Sequence, residues 1–173
     1  MNTKSLAFTG VLLALGYVLH TIVPPFFMGM KPDMLLTMMF LAIMINPQKG
    51  NVVMASLGAG IISALTTGFP GGQLANIIEK PLTAFIFFFL ILAVSKLKRS
   101  ALIATILTAA GTIVSGTLFL TAALVIVGLP GPFTALILTV VLPAAGFNAA
   151  LMAVLYPVAS KITKRTMPTA SML

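Results

Sequence analysis

Few side chains in this 173-residue chain could perform covalent chemistry. The sequence contains one histidine, two acidic residues and no cysteine. A nucleophile–base–orienter triad, a carboxylate pair with a base or a metal cluster needs more such groups than these. The sequence also lacks the glycine-rich loop, GxxxxGK followed by serine or threonine, that binds nucleotide phosphates. It therefore predicts a protein that is not an enzyme and needs no cofactor or metal, which leaves binding, conduction or assembly as its function.

The densest group of polar and helix-breaking residues lies between two apolar runs, in residues 68–81 (GFPGGQLANIIEKP). Two adjacent glycines would let the backbone approach a ligand closely. The segment also offers an aromatic ring, amide groups that both donate and accept hydrogen bonds, and one charge of each sign. Opposite charges could hold the ammonium and carboxylate groups of an amino acid. The candidate binding residues here are Phe69, Gln73, Asn76, Glu79 and Lys80.

The same segment also fits a purely structural role. Asn76 and Glu79 have the spacing of a capping box, in which Asn76 would cap a helix and Glu79 would reach back to it. Pro81 would then stand in the first turn of that helix. Capping and ligand contact both remain possible, and one does not exclude the other.

Other candidates are isolated polar residues near predicted helix ends or inside helices. Asn148 follows Pro143, which can kink a helix, and an amide in a membrane helix either contacts a ligand or bonds to another helix. His20 is either a ligand contact or an interfacial histidine with a local partner. Asp33 and Lys31 could pair at a helix end.

Aromatic residues outside that segment give weaker signals. Tyr17 and Phe147 are possible stacking partners for an aromatic ligand. A phenylalanine in a membrane helix more often faces lipid or the core.

The elements that must position these residues are membrane helices. Hydrophobic residues form 60% of the chain and charged residues 7%, and the mean hydropathy is +1.17. Soluble domains carry about 25% charged residues, so the sequence predicts an integral membrane protein. At roughly 20 residues per span, the chain is one all-α transmembrane domain, residues 1–173, with six helices. The predicted helices are residues 4–23, 32–45, 51–67, 77–95, 101–127 and 133–162.

Three of these helices have individual features. The second is short for a span, so we expect it to be shallow or partly buried among its neighbours. The third is rich in small residues, which favours an interior position. The fifth is long enough to tilt strongly or to break near Gly111 or Gly116.

The distribution of charge predicts the orientation. The net charge is +8, but the basic residues lie in small groups between apolar runs, which favours membrane topology over nucleic-acid binding. With six spans both termini lie on one side. If that side is cytoplasmic, it holds these residues and no acid: Lys4, Lys49, Lys96, Lys98, Arg99, Lys161, Lys164 and Arg165. The segment 68–81 would then face outward.

A small-xxx-small pattern in the first helix offers a groove for another helix. Gly10 and Ala14 are one turn apart, and small residues at this spacing let helices approach closely. The groove could receive a partner protein or pack internally.

These features together resemble the substrate-binding S components of energy-coupling factor (ECF) transporters, and in particular the tryptophan transporter TrpP family. The resemblance rests on six spans in a short chain, the basic inner face, the Gly10–Ala14 pattern and the segment from Phe69 to Lys80. It covers nearly the whole chain. The usual pattern in the first helix is Ala-xxx-Ala, and here glycine replaces one alanine.

The resemblance implies a bundle like that of the ECF S components in a bacterial or archaeal cell membrane, surrounded by lipid. It implies capture of tryptophan at the outer face and delivery with a membrane coupling protein and two cytoplasmic ATPases. It also implies that Gly10 and Ala14 face the coupling protein. Ligand contacts in the wider family come from outer loops and the last three helices, which is consistent with Gln73, Asn76, Glu79 and Asn148.

Other functions remain open from the residues themselves. Related S components bind vitamins such as riboflavin, thiamine or biotin, because one fold serves many ligands. A structural membrane subunit without a ligand is a second alternative. A self-sufficient carrier or channel is a third, although the chain has few intramembrane ionisable groups for ion coupling.

Overall fold

The protein is a bundle of six helices in the parts of the chain that the structure describes. The computed structural model describes residues 3–24, 33–95 and 100–166, and these ranges contain helices and short connections without a β-strand. The first five helices are α1 (Thr3–Ile22), α2 (Met34–Ile45), α3 (Lys49–Thr66), α4 (Gly72–Ala93) and α5 (Ala101–Ile126). The last, α6, joins three consecutive segments: Phe133–Leu136, Ile137–Val141 and Leu142–Thr166. Helices α1, α4, α5 and α6 are long and apolar enough to cross a membrane, so the predicted all-α membrane bundle is confirmed.

Helix α2 is the centre of the bundle. All 12 of its residues are buried, and it contacts each of the other five helices. The ring of Phe40 in α2 stacks on that of Phe87 in α4, with ring centroids 3.9 Å apart. At about 1.5 Å per residue, α2 is too short to cross a bilayer. The expectation that this short helix is buried among its neighbours is therefore confirmed.

Helix α3 is interior on one face only. Its small residues, including Ala55, Ala59 and Gly60, are buried, and the helix packs mainly against α4. A Cβ atom on Gly60 would lie 3.5 Å from the main-chain oxygen of Asn76, so the small face brings the two helices close. The opposite face exposes large apolar side chains such as Leu65.

The start of α4 differs most from the predicted boundaries. Gly71 caps the helix in the left-handed conformation with φ of 70°, which glycine adopts without a steric cost. The helix therefore begins at Gly72 and not at residue 77. Asn76 is not a cap, because its Nδ2 donates to the main-chain oxygen of Gly72 at 2.8 Å. Pro81 lies inside the helix and not in its first turn.

Several other boundaries shift by a few residues. The second helix was predicted to begin at Pro32, which lies outside the described residues. In the structure α2 begins at Met34, and Asp33 is its N-cap and not part of its first turn. Helix α3 begins at Lys49, and the end of α6 extends beyond residue 162 to Thr166. Polar residues occur both in the last turn of a helix and in the adjoining loop, so hydropathy does not locate the boundary between the two.

Helix α5 continues without a break past both of its central glycines, which corrects one of the two alternatives for this helix. A Cβ atom on Gly111 would lie 2.8 Å from the rings of Phe40 and Phe87. On Gly116 it would lie 2.6 Å from the side chain of Val141. The glycines therefore allow close packing of helices and do not interrupt α5.

Helix α6 contains a π turn directly before Pro143. Residues Ile137–Val141 form this turn, and the main-chain N–H of Leu142 donates to the oxygen of Ile137. Pro143 has no N–H to donate to the preceding turn, and such a position often accompanies a local change of helical pitch. The expected irregularity near Pro143 is therefore a π turn, and it lies in the wall of the cavity described below.

Candidate functional site

A cavity of about 130 Å³ lies at the end of the bundle where α1 ends and where α2, α4 and α6 begin. All six helices contribute to its wall. The polar and charged lining residues are His20, Asp33, Ser63, Thr67, Asn76, Glu79, Lys80, Thr112, Ser115 and Asn148. The other lining residues are Leu36, Gly68, Phe69, Gly116, Phe119, Leu120, Val140, Val141 and Ala144. The described residues contain no cluster of histidine and acidic side chains suited to a metal ion.

A buried charge cluster forms one side of the cavity. The Nζ atom of Lys80 lies 2.5 Å from Oδ2 of Asp33 and also contacts Oε1 of Glu79. The hydroxyls of Thr83 and Ser115 each donate to Oε2 of Glu79 at 2.9 Å. Glu79 and Lys80 are 1% and 2% exposed. Because these two charges contact each other directly, they do not stand apart as separate sites for an ammonium and a carboxylate.

Asp33 joins the cluster from the start of α2. Its Oδ1 accepts a hydrogen bond from the main-chain N–H of Leu36 at 2.9 Å, and Nδ1 of His20 lies 3.9 Å from the same oxygen. Burial alone would raise the pKa of the Asp33 carboxyl. The Lys80 ammonium, with smaller contributions from His20 and Leu36, outweighs burial and lowers this pKa below its ordinary value. Asp33 is therefore ionised at neutral pH.

Aromatic and aliphatic side chains also line the cavity. The rings of Phe69 and Phe119 meet edge to face with centroids 5.4 Å apart. Leu120 and Val141, both buried, continue this apolar surface. A cavity with one apolar wall and a few convergent polar groups is the usual form of a small-molecule site.

Two buried polar atoms in the cavity wall have no protein partner among the described residues. Asn148 is 0% exposed, and its Nδ2 donates to Oγ1 of Thr112 at 3.3 Å, while its Oδ1 accepts no hydrogen bond. The hydroxyl of Ser63 likewise has no partner. An unsatisfied buried polar atom costs about 1–3 kcal/mol. A ligand that bonds to these atoms would remove that cost.

The structure brings most of the predicted site residues together. The predicted residues that line the cavity are His20, Phe69, Asn76, Glu79, Lys80 and Asn148. Gln73 is exposed and does not line the cavity, so the structure does not bring it together with the other predicted site residues. Tyr17 and Phe147 are also exposed, at 45% and 42%, and lie outside the cavity wall. Lys31, the predicted partner of Asp33, lies outside the described residues.

Sequence reasoning missed the contribution of α5. Thr108, Thr112, Ser115 and Phe119 recur at intervals of three or four residues, which places them along one side of a helix. Three of them line the cavity. A search for polar residues with helical periodicity inside the apolar runs would have found them.

The Gly10–Ala14 pattern lies on the outside of the bundle. Both residues are exposed on α1, and a Cβ atom on Gly10 would have no other atom within 4 Å. This pattern is therefore not used for packing within the described part of the chain.

These features define a class of protein: a multi-pass membrane protein with a polar, partly aromatic cavity at one end of its helical bundle, as in transport proteins for small molecules. The comparison with known families is more specific. The family "Tryptophan transporter TrpP" matches residues 2–164, and the chain belongs to this family.

Curated relatives align over nearly their whole length. A protein of Bacillus subtilis (strain 168) is 50% identical over 96% of each chain. A protein of Clostridium perfringens is 39% identical over 95% of each chain. One from Clostridium acetobutylicum is 40% identical over 93% of this chain and 94% of its own. All three are named "Probable tryptophan transport protein". No solved structure matches the chain significantly.

Proposed function

We propose that this protein is the substrate-binding membrane subunit of a tryptophan uptake system, and that it captures tryptophan at the outer face of the membrane. The observation that carries this proposal is the cavity itself, which combines an aromatic wall with a buried charge cluster. An indole ring fits the apolar side at Phe69 and Phe119, and the polar side offers partners for the amino-acid group. Membership of the TrpP family supports the choice of tryptophan.

The arrangement of charge supports an outward-facing cavity. The described basic residues outside the cavity are Lys4, Lys49, Lys161, Lys164 and Arg165. They lie at the starts of α1 and α3 and at the end of α6, which is the end of the bundle away from the cavity. Basic residues are enriched on the cytoplasmic side of membrane proteins. We therefore assign the cavity to the outside and both termini to the cytoplasm.

Energy for uptake would come from partner subunits. The sequence has no phosphate-binding loop of its own. The exposed groove at Gly10 and Ala14 is available for another helix. In the proposed system this groove binds a membrane coupling protein, which connects the subunit to two cytoplasmic ATPases.

Single-cysteine labelling tests the site, its side and its substrate together. Because the natural chain has no cysteine, a Gly68→Cys variant carries one thiol, at an exposed position that lines the cavity. In intact cells, a membrane-impermeant thiol reagent should modify this variant, and tryptophan should slow the modification. Lys161→Cys, exposed at the other end of the bundle, should react only after permeabilisation.

The outcomes separate the alternatives. Protection of Gly68→Cys by riboflavin, thiamine or biotin, but not by tryptophan, would assign the cavity to a vitamin. Absence of protection by any of these, together with no heat of binding in calorimetry of the purified protein, would favour a structural subunit. Reaction of Gly68→Cys only after permeabilisation would overturn the outward orientation.

A further inference from the structure

The described part of the cavity wall holds more carboxyl groups than ammonium groups. Among the described residues it contains the carboxyl groups of Asp33 and Glu79 and one ammonium group, that of Lys80. The remaining titratable group in the wall is His20, which contributes charge only if protonated. Buried charges are stable when they are paired. Within the described wall, a further positive charge would therefore find an acidic partner more readily than a further negative charge would find a basic one.

Two of the three donors of the Lys80 ammonium are already used within the charge cluster. Its Nζ contacts both Asp33 and Glu79, and its side chain is 2% exposed. A ligand carboxylate placed near this ammonium would also lie near two other carboxylates. Like charges at such distances repel strongly where water is excluded.

Asp33 has spare capacity to accept hydrogen bonds, whereas Glu79 is nearly saturated. The oxygens of Glu79 contact three donors, on Lys80, Thr83 and Ser115, and its side chain is 1% exposed. Among the described residues the oxygens of Asp33 accept from two donors, on Lys80 and Leu36, with His20 further away at 3.9 Å, and the Asp33 side chain is 23% exposed. A carboxylate has about four acceptor positions. The accessible acceptor in the cluster is therefore Asp33.

A second unused acceptor lies in the same cavity. The Oδ1 atom of Asn148 is buried and has no partner among the described residues. Like Asp33, it is suited to a ligand that donates hydrogen bonds. Both observations favour the same ligand chemistry, although they come from different helices.

We propose that the site recognises the ammonium group of its substrate at Asp33 and does not require the substrate's carboxylate. The ligand class is then an aromatic primary amine that carries a hydrogen-bond donor on its ring, and amino acids are one case of it. This inference rests on the proposed function of the same cavity. It replaces the expectation that Glu79 and Lys80 hold the two ends of a zwitterion.

Three ligands with the same indole ring test the inference on the unmodified protein. L-Tryptophan carries both charged groups, tryptamine only the ammonium, and indole-3-propionate only the carboxylate. Calorimetry of the purified protein with each ligand should give dissociation constants for tryptamine and tryptophan that agree within about tenfold. Indole-3-propionate should bind at least about tenfold more weakly, the loss expected when a charged hydrogen bond is missing.

The ligand pattern separates failure of this inference from failure of the proposed function. Binding of tryptophan and indole-3-propionate without tryptamine would overturn the inference and leave tryptophan binding intact. Binding of tryptamine without tryptophan would support the inference and overturn the proposed function. Binding of none of the three would overturn both.

A charge-neutral variant locates the ammonium site. Asp33→Asn keeps the size of the side chain and removes its charge, so it should weaken tryptophan and tryptamine at least about tenfold. Thr121→Ala is the control, because Thr121 is exposed on α5 and outside the cavity wall. Unchanged affinity in a folded Asp33→Asn protein would overturn the assignment to Asp33. If that variant does not fold, the ligand series on the natural protein still decides whether the ammonium is recognised.

Discussion

Lys80 forms ion pairs with two carboxylates that belong to different helices. Asp33 comes from the start of α2 and Glu79 from α4, and the lysine contacts both. Glu79 and Lys80 are both buried, so each charge is stabilised by the other, and Glu79 is stabilised also by the hydroxyls that surround it. Removing one member of a buried pair is far more costly than removing both.

Lys80→Met should therefore destabilise the protein strongly, by about 3–5 kcal/mol, because two carboxylates lose their counter-ion. Denaturant unfolding in detergent measures the change. The double variant Lys80→Met with Glu79→Gln should be more stable than Lys80→Met alone, because one uncompensated charge is removed. Lys161→Met, at an exposed position, is the control. A Lys80→Met protein as stable as the natural one would contradict the buried cluster.

At this scale the sequence predicted which residues line the cavity better than it predicted their partners. His20, Asn76, Glu79, Lys80 and Asn148 could be selected because polar groups are rare in such an apolar chain. The pairing of Lys80 with Asp33 could not, since it depends on how α2 and α4 pack. Gln73 had the same polar character as Asn76, but it lies on the exposed side of α4.

At the scale of elements, glycines in α5 determine how closely the helices approach. Gly111 lies against the stacked rings of Phe40 and Phe87. This contact joins α5 to the central helix and to α4. The cavity wall on α5 begins one residue further on, at Thr112.

Gly111→Ala should destabilise the protein by about 1–3 kcal/mol, because the new methyl group overlaps two packed rings. This loss should exceed the gain of about 0.5–1 kcal/mol that alanine brings to a helix. Gly146→Ala is the matched control: the glycine is exposed in α6, and its Cβ would meet no atom within 4 Å. Thermal unfolding of both variants in detergent measures the difference. Equal stability of the two would show that Gly111 is not a packing position.

Hydropathy predicted the number and order of the helices well. The main-chain polar groups of an apolar run in a membrane protein must hydrogen-bond within the protein, and a helix achieves this. It did not predict the start of α4. The polar composition of residues 68–81 resembles a loop, and Pro81 resembles a helix start. In the structure, the left-handed turn at Gly71 begins the helix earlier, and the proline is accommodated inside it.

At the scale of the whole molecule, the two ends of the bundle differ in chemistry. One end holds the cavity and its charge cluster, and the described basic residues outside the cavity lie at the other. The exposed groove on α1 runs along the side of the bundle between them. The proposed substrate site and the proposed partner surface therefore lie apart, and we expect that substitutions can alter one without the other.

Ala14→Phe should abolish energised tryptophan uptake and leave tryptophan binding unchanged, because the large ring fills the groove and does not reach the cavity. Uptake of labelled tryptophan by cells with the complete transport system measures the first effect, and calorimetry the second. Ile61→Phe is the control, since Ile61 is exposed on another helix, α3. Uptake that persists in Ala14→Phe cells would show that the groove does not bind the energising partner.

The fully buried α2 also constrains how the protein is made. A 12-residue helix whose every side is covered by protein cannot rest stably in the bilayer alone. Four of the five helices that cover it, α3, α4, α5 and α6, are synthesised after it. Because Asp33 caps α2, we expect this carboxylate to reach its final position only when the later helices have packed around α2. A chain truncated before α6 would lack part of the cavity wall, so we expect it not to bind substrate.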